Sequence, residues 1–513
     1  MLLKDRQFGA RRVHLLEPID LRSPFWRYYE TVRGEPFSFL LDSAKDPEKL
    51  GQCSFIGGDP FLLFRAKRRP GQPPGAGAHI EITSRRGPDG TPQSPPQCLA
   101  GLGDPFEELR RLLGAYRVGQ DEYCDHPVPF LSGAVGYIGY EAGYFIESLP
   151  DQGVDSLGLP DIWLMFVDSL IAHCHRTGRS YVSAVGRGPD EEAARRDAVS
   201  ARDQWLQRIA AFDKNNNNKD AKNPGVALQT PPSVAIQAHF DERAYCKAVE
   251  TVKEHILAGD AYEVCLTHRL EAECKGDPWV LYEELRRINP APFASFLKLS
   301  EVLVASSSPE RFLRLNPERI VESRPIKGTR PRGQTPEEDE ALRRELADSI
   351  KDRAENVMIV DLVRNDIGRV STFGSVHVPE LMLIEEYATV FQMVSTIRGT
   401  LDPAVDVIDL IKACFPGGSM TGAPKVEAMK IIDRLEPVKR GIYSGSIGYL
   451  DFSGVLDLNI VIRTLVVKDA RAYFNVGGAI VADSDPRDEY EETMAKARAL
   501  IRALSHLEGR ASA

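Results

Sequence analysis

Apolar residues recur along this chain with two periods, and each period places a different kind of element. In DERAYCKAVETVKEHILAGD, Ala244, Val249, Val252, Ile256 and Leu257 fall close to one face of a 3.6-residue repeat. The stretch reads as an amphipathic helix, with Gly259 placed to stop it. Helical patterning also runs through DPFEELRRLLGAYR, EEAARRDAVSARDQWLQRIAAF, VEAMKIIDRL and EYEETMAKARALIRALSHL. Residues 335–358, TPEEDEALRRELADSIKDRAENVM, read as one further helix, capped by Thr335 or by the acidic residues after it. Strand-like runs are PFLSGAVGYIGY, DIWLMFVDSLIAHCH, YEVCLTHRLEA, FASFLKL, VLVASSS, RFLRL, GSIGYL, LNIVIRTLVV and RAYFNVGGAIVA. Strand groups flanked by helix pairs predict an α+β layered fold rather than a regular βαβ repeat.

Two stretches interrupt the pattern. Residues 65–97 are dense in Gly, Pro and Arg and read as a long surface excursion between strands. FDKNNNNKDAKNPG, residues 212–225, cannot bury apolar area and reads as a linker. The expected organisation is an N-terminal domain over 1–211, a linker over 212–236 and a C-terminal domain over 237–513. Inspection finds no repeat of fixed period.

Composition narrows the functional classes. The 513 residues are 42% hydrophobic, enough for a large core. A net charge of −10 argues against nucleic acid or an anionic membrane as the main partner, while leaving room for a local cationic pocket. The eight cysteines form no CxxC pair and no zinc spacing, as expected of free thiols in a reducing cytosol. The N-terminus has no continuous apolar segment, and no run is long enough to span a bilayer. The expectation is a soluble cytosolic protein.

Several charged groups stand in unusual company. Lys327 sits in ESRPIKGTRPRG, among arginines, prolines and glycines. It is either a solvated loop charge or a reactive amine, and burial beside Arg324 or Arg330 would favour the neutral form, whereas nearby glutamates would oppose it. Asp352 and Glu355 share a helix face, as do Glu489 and Glu492, and two such pairs could hold a hard divalent cation such as Mg2+ or simply be solvated. Arg463, in NIVIRTLVV, reads as a charge inside an apolar strand that needs an internal or a substrate carboxylate. GIYSGSIGY, NVGGAIVA and FPGGSMTGAPK can present amides and hydroxyls to an anion, but none fits a phosphate-binding fingerprint.

Taken in order, SSSPERF, SRPIKGTRPRG, RAENVMIVDLVRNDIGRV, FPGGSMTGAPKVEAM, RGIYSGSIGYL, NIVIRT and GGAIVADSDPRDEYEET resemble the motif blocks of the chorismate-utilising enzymes. The resemblance runs over about residues 238–505 and reaches the N-terminal part through LLDSA, GQCSFIGGDP and GAVGYIGYE. It implies a sandwich of two large, mostly antiparallel sheets flanked by helices, as in anthranilate synthase component I. Within this family the branch that forms 4-amino-4-deoxychorismate carries a lysine in the PIKGT block, where the anthranilate-forming branch carries PIAGT. Lys327 therefore implies amination of chorismate at C4, for 4-aminobenzoate and folate synthesis. The alternatives are an anthranilate-forming component I and a non-catalytic tryptophan-binding subunit.

Carried over by position, the resemblance makes Lys327 a nucleophile and Glu310 the general acid/base. Glu355 and Glu492 would be direct Mg2+ ligands, with Asp352 and Glu489 assisting. Arg463 and Tyr443 match residues that bind the enolpyruvyl carboxylate. Gly328, Thr329, Ser419, Gly478 and Ala479 match substrate contacts, and Lys496 would place a charge near the metal. Gln392 stands where many members have histidine, so it can hydrogen-bond substrate but not relay protons. Glu263 stands where water-adding members have a lysine base, which argues against hydration. Ammonia would come from a glutamine amidotransferase subunit, since no glutaminase motif is visible. Leu41, Asp42, Ser43, Ser54, Pro292 and Phe293 resemble a tryptophan pocket, though ordinary packing explains them equally well.

Overall fold

The computed structural model describes residues 11–46, 49–69, 77–87, 91–118, 126–216, 234–387 and 390–511. Period-two alternation dictates its central feature. In the strand Ile162–Val167 every residue is buried, because its two faces enter two different cores. Trp163, Met165 and Val167 point into an inter-sheet core with Phe39, Phe55, Leu170, Leu297 and Val304. Ile162, Leu164 and Phe166 point outward, under Phe106, Leu109 and Leu112 of the helix Pro105–Ala115. The neighbouring strand Ser169–Cys174 divides in the same way: Leu170 and Ala172 face the inter-sheet core, and Ile171 packs outward with Trp205, Trp279 and Leu504.

Two 12-stranded sheets result, packed face to face with helices on both outer surfaces. The first runs in the order Arg11–Ile19, Arg179–Gly188, Ser169–Cys174, Cys53–Gly58, Phe37–Asp42, Phe293–Leu299, Val302–Ser308, Thr464–Lys468, Arg471–Ile480, Glu263–Glu273 and Gln237–Ala238, with Gly422–Ala423 also paired to Glu263–Glu273. The second runs Ile326–Pro331, Val390–Thr400, Ile320–Arg324, Arg311–Leu315, Leu456–Asn459, Ser446–Asp451, Gly133–Ile138, Ile162–Val167, Leu62–Lys67, Ala78–Arg86 and Pro92–Gly103, with His377–Glu386 paired to Val390–Thr400. The strand pairings within both sheets are antiparallel, in agreement with the layered α+β expectation. Both sheets draw strands from either side of the expected linker. Residues 212–216 of that linker belong to the helix Glu191–Asn216, and residues 217–233 lie outside the described residues.

Other departures have local causes. The single run DIWLMFVDSLIAHCH is two strands, one in each sheet, parted at Asp168. Residues 78–86 and 92–97, read as part of an excursion, are strands. Ile80 and Ile82 alternate inward there despite the polar, Pro-rich neighbourhood. The helix expected over 335–358 is two helices, Pro336–Asp348 and Ile350–Gly368, broken at Ser349. Ser349 is extended, and its Oγ accepts from Asp352 N at 3.2 Å, so it caps the second helix. Thr335 caps the first as expected. Helix Glu242–Leu257 buries Val249 and Val252 as patterned and ends before Gly259 at φ +84, but Leu257 is 78% exposed. LNIVIRTLVV is interrupted: Arg463 lies at φ +51 between the strands Leu456–Asn459 and Thr464–Lys468 rather than inside one.

Beneath the future site, Arg440 is almost fully buried. Its guanidinium donates to Glu436 Oε1 and Oε2 at 2.6 and 2.9 Å and to the carbonyls of Met420 and Cys265 at 2.6 and 2.7 Å. Glu436 also accepts from Thr267 N and Oγ1 at 2.8 and 2.9 Å. Removing one charge strands the other in low dielectric. Arg440→Met is expected to lower unfolding free energy by about 3–5 kcal/mol, read by urea denaturation. An unchanged midpoint would contradict this.

Candidate active site

Lys327 extends from the strand Ile326–Pro331 of the second sheet and meets Glu263, the first residue of Glu263–Glu273 in the first sheet. Its Nζ donates to Glu263 Oε1 at 2.7 Å and lies 3.8 Å from Glu355 Oε2. Lys327 is 7% exposed and Glu263 fully buried. Burial alone would drive the ammonium toward its neutral form, but Glu263 and then Glu355 outweigh it, so the pKa of Lys327 is raised. The arginines nearby in sequence do not help to neutralise it. Arg324 is turned to Glu380 and Glu385, at 3.1 and 2.6 Å, and Arg330 to Glu345 and Asp352, at 2.7 and 2.9 Å. Among the competing influences foreseen, the glutamates prevail.

Two glycines let the pieces approach. Gly422 has φ +137, and a Cβ there would lie 2.1 Å from the carbonyl oxygen of Glu263, so only glycine pairs at this point. Gly328 has φ +86, and its Cβ would lie 2.9 Å from Asp352 Oδ1, which seats the PIKGT turn on the start of helix Ile350–Gly368. Thr329 and Gln392 are direct cross-strand partners, and Gln392 is buried.

The acidic residues stand among cations. Glu355 is pushed up to about 7, chiefly by burial, against the pull of Lys327. Glu489 is also raised by burial, although it accepts from Ser484 Oγ at 2.7 Å and lies 3.6 Å from Lys351 Nζ. For Glu492 burial is outweighed by Lys496, at 2.7 Å, so its pKa is lowered. The ammonium of Lys351 interacts with Glu489, Glu355 and Glu492 together. Glu355 of one helix and the pair Glu489 and Glu492 of the other therefore meet around one positive charge, and their hard oxygen donors suit a cation such as Mg2+. Asp352 is the exception, being engaged by Arg330. Among the described residues, no three acidic, His or Cys groups already form a ligand cage. Lys496 also donates to the carbonyl of Gly477 at 2.9 Å, beside Gly478 and Ala479.

Glu310 is close enough to Lys327 to feel its charge. It is buried, accepts from Ser419 Oγ at 2.7 Å, and is pushed up to about 7 by burial, with Ser419 and Lys327 opposing. Arg463 is paired with no carboxylate among the described residues. Burial lowers its pKa, and the charge of Glu310 opposes that. Tyr443 is buried, which raises its phenol. The sequence reading missed Lys351, which its i, i+4 spacing to Glu355 could have flagged, and it missed Glu263 as the partner of Lys327.

Leu41, Asp42, Ser43, Pro292 and Phe293 line a separate pocket. Ser54 does not line it; its Oγ accepts from Ser43 N at 2.9 Å and bonds His175. Asp42 is held by Arg286 and by Tyr282 Oη, at 2.5 and 3.0 Å.

Comparison with known proteins follows the same lines. Residues 81–502 match the family described as chorismate binding enzyme. The chain is 40% identical over 473 residues, 91% of its length, to an aminodeoxychorismate synthase of Streptomyces griseus, and spans 60% of that relative. It is 37% identical to aminodeoxychorismate synthase component 1 of Bacillus subtilis, over 95% of this chain and 96% of that one. The crystal structure of anthranilate synthase component I from Streptococcus pneumoniae superposes with a TM-score of 0.70 at 28% identity, over 89% of this chain and 95% of that one.

Because Glu263 is what holds the proton on Lys327, Glu263→Gln is expected to lower the pH at which Lys327 becomes reactive. The pH dependence of its labelling by an amine-directed reagent, read by peptide mass spectrometry, measures this. An unmoved midpoint would contradict the assignment.

Proposed function

The chain belongs to the chorismate-binding enzymes, and from that premise we propose that it is component I of aminodeoxychorismate synthase, aminating chorismate at C4 to 4-amino-4-deoxychorismate for 4-aminobenzoate and folate synthesis. The observation that carries this reading is Lys327, buried between the sheets against Glu263.

The starting lysine is an ammonium and must lose a proton. Glu263 is the acceptor: Oε1 is 2.7 Å away, and Oε2 is buried with no hydrogen-bond partner among the described residues. The neutral amine attacks ring carbon C2 as the double bonds shift, and the C4 hydroxyl leaves as water on taking a proton from Glu310. A pKa of about 7 suits Glu310 both to give that proton and to recover one. Ammonia then forms the C4–N bond, the Lys327–C2 bond breaks, and the double bonds return. The new amine yields a proton to Glu310, and the departing lysine regains one from Glu263. Arg463, with Tyr443 nearby, receives the enolpyruvyl carboxylate. Ser419, Gln392, Thr329 and the backbone at Gly328, Gly478 and Ala479 position the ring.

Glu355 and Glu492 would hold Mg2+ directly, with Glu489 and Asp352 assisting. Bound there, the ion would supply positive charge to neutralise and orient the ring carboxylate. Ammonia reaches the site from a separate glutamine amidotransferase subunit. The proposed location is the cytoplasm, and no helix among the described residues is long and apolar enough to cross a membrane. The cavity at Leu41 and Phe293 suits a tryptophan.

With chorismate, ammonium and Mg2+, the expected product is 4-amino-4-deoxychorismate. Anthranilate as the main product would favour anthranilate synthase component I, and no turnover would favour a tryptophan-binding subunit. Glu310→Gln is expected to lower kcat by about 10²–10⁴-fold. In the parent enzyme, loss of the C4 hydroxyl should slow as pH rises through about 7, because the acid form of Glu310 is then depleted. Rapid-mixing kinetics across pH, with a flat profile in this range, would remove Glu310 from the role.

A further inference from the structure

Outside the active site, two cysteines face each other across an antiparallel ladder. Cys53 opens the strand Cys53–Gly58, Cys174 closes Ser169–Cys174, and the two are direct register partners. His175 N donates to Gln52 O at 2.9 Å, so the flanking residues carry the ladder bond and the cysteines occupy a non-hydrogen-bonded position. At such positions Cα atoms stand about 4.5 Å apart and side chains approach most closely. That separation lies within the window of about 4.4–6.8 Å that a disulfide requires. The two thiols are close enough for each to shift the ionisation of the other. This contact, with hydrogen bonds from Thr177 and Arg176 and against burial, lowers the pKa of Cys174 and favours its thiolate.

Both cysteines line a pocket distinct from the active site, whose wall also carries Arg176, Arg314 and Glu318. Neither guanidinium is in a salt bridge with a carboxylate among the described residues. We propose that Cys53 and Cys174 are a thiol–disulfide exchange site for a low-molecular-weight disulfide bearing carboxylates, which enters through this cavity and is received by Arg176 and Arg314. The Cys174 thiolate attacks one sulfur of the incoming disulfide and expels the first thiolate. Cys53 then gives up its proton to solvent and attacks Cys174 Sγ, expelling the second. The protein dithiol is oxidised to a cross-strand disulfide, and the small disulfide is reduced to two thiols. The bond would tie the strands at the wall that Cys53 shares with the pocket at Leu41 and Phe293.

The test exposes the full chain to oxidised glutathione and follows intact and peptide masses. The expected result is loss of two hydrogens and a linked pair of peptides holding Cys53 and Cys174. In Cys53→Ser, Cys174 should instead retain a glutathione adduct. Arg314→Ala should slow the reaction with oxidised glutathione but not with uncharged 2-hydroxyethyl disulfide. If both cysteines still alkylate freely after an exposure that fully modifies exposed Cys98, or link to other cysteines, the exchange site is refuted. Equal slowing with both disulfides would refute recognition by Arg314.

Discussion

A charged pair, Lys327 with Glu263, joins the edge strand of one sheet to a strand of the other. Burying two charges this completely costs several kcal/mol per ion before their attraction is counted, and an apolar pair of similar volume is often as stable or more so. Stability therefore gives little reason to keep it. A buried ion pair beside a carboxyl pushed to about 7, and a second one at Glu310, is the electrostatic pattern of a site built to move protons. The same attraction that orders Lys327 holds it as an ammonium, so the proposed reaction begins with transfer along a bond that already exists.

The scaffold serves that bond from both sides. Gly422 lets a short strand close on the carbonyl of Glu263. Ser349 stops one helix and starts the next, which places Asp352 in the first turn of helix Ile350–Gly368, beside the PIKGT turn, and Glu355 one turn further on. That end of a helix is favourable for carboxylates. Lys351 draws Glu489 of the last helix toward Glu355, so side chains distant in sequence share one electrostatic environment.

Much of this was legible in the sequence. FASFLKL, VLVASSS and RFLRL are strands over the residues their alternation marked, and Glu355, Glu489 and Glu492 share the field of Lys351 while Asp352 is turned to Arg330. What failed was local. Ser349 looked like a helical residue because nothing in ELADSIKDR breaks the period, and only the capping geometry reveals the stop. Residues 78–86 were hidden by flanking Gly and Pro, although the Ile80–Ile82 alternation was present. The protonation of Lys327 was beyond reach, because it depends on a partner 64 positions away and on arginines that turn to other carboxylates.

The central claim is that Lys327 bonds covalently to the ring before nitrogen arrives. Mass spectrometry of the chain quenched after mixing with chorismate and Mg2+, without ammonia, addresses it directly. The account predicts an adduct of dehydrated chorismate on the peptide that contains Lys327. An enzyme that shows no adduct, and whose Lys327→Ala variant still aminates C4 at the parent rate, would contradict it.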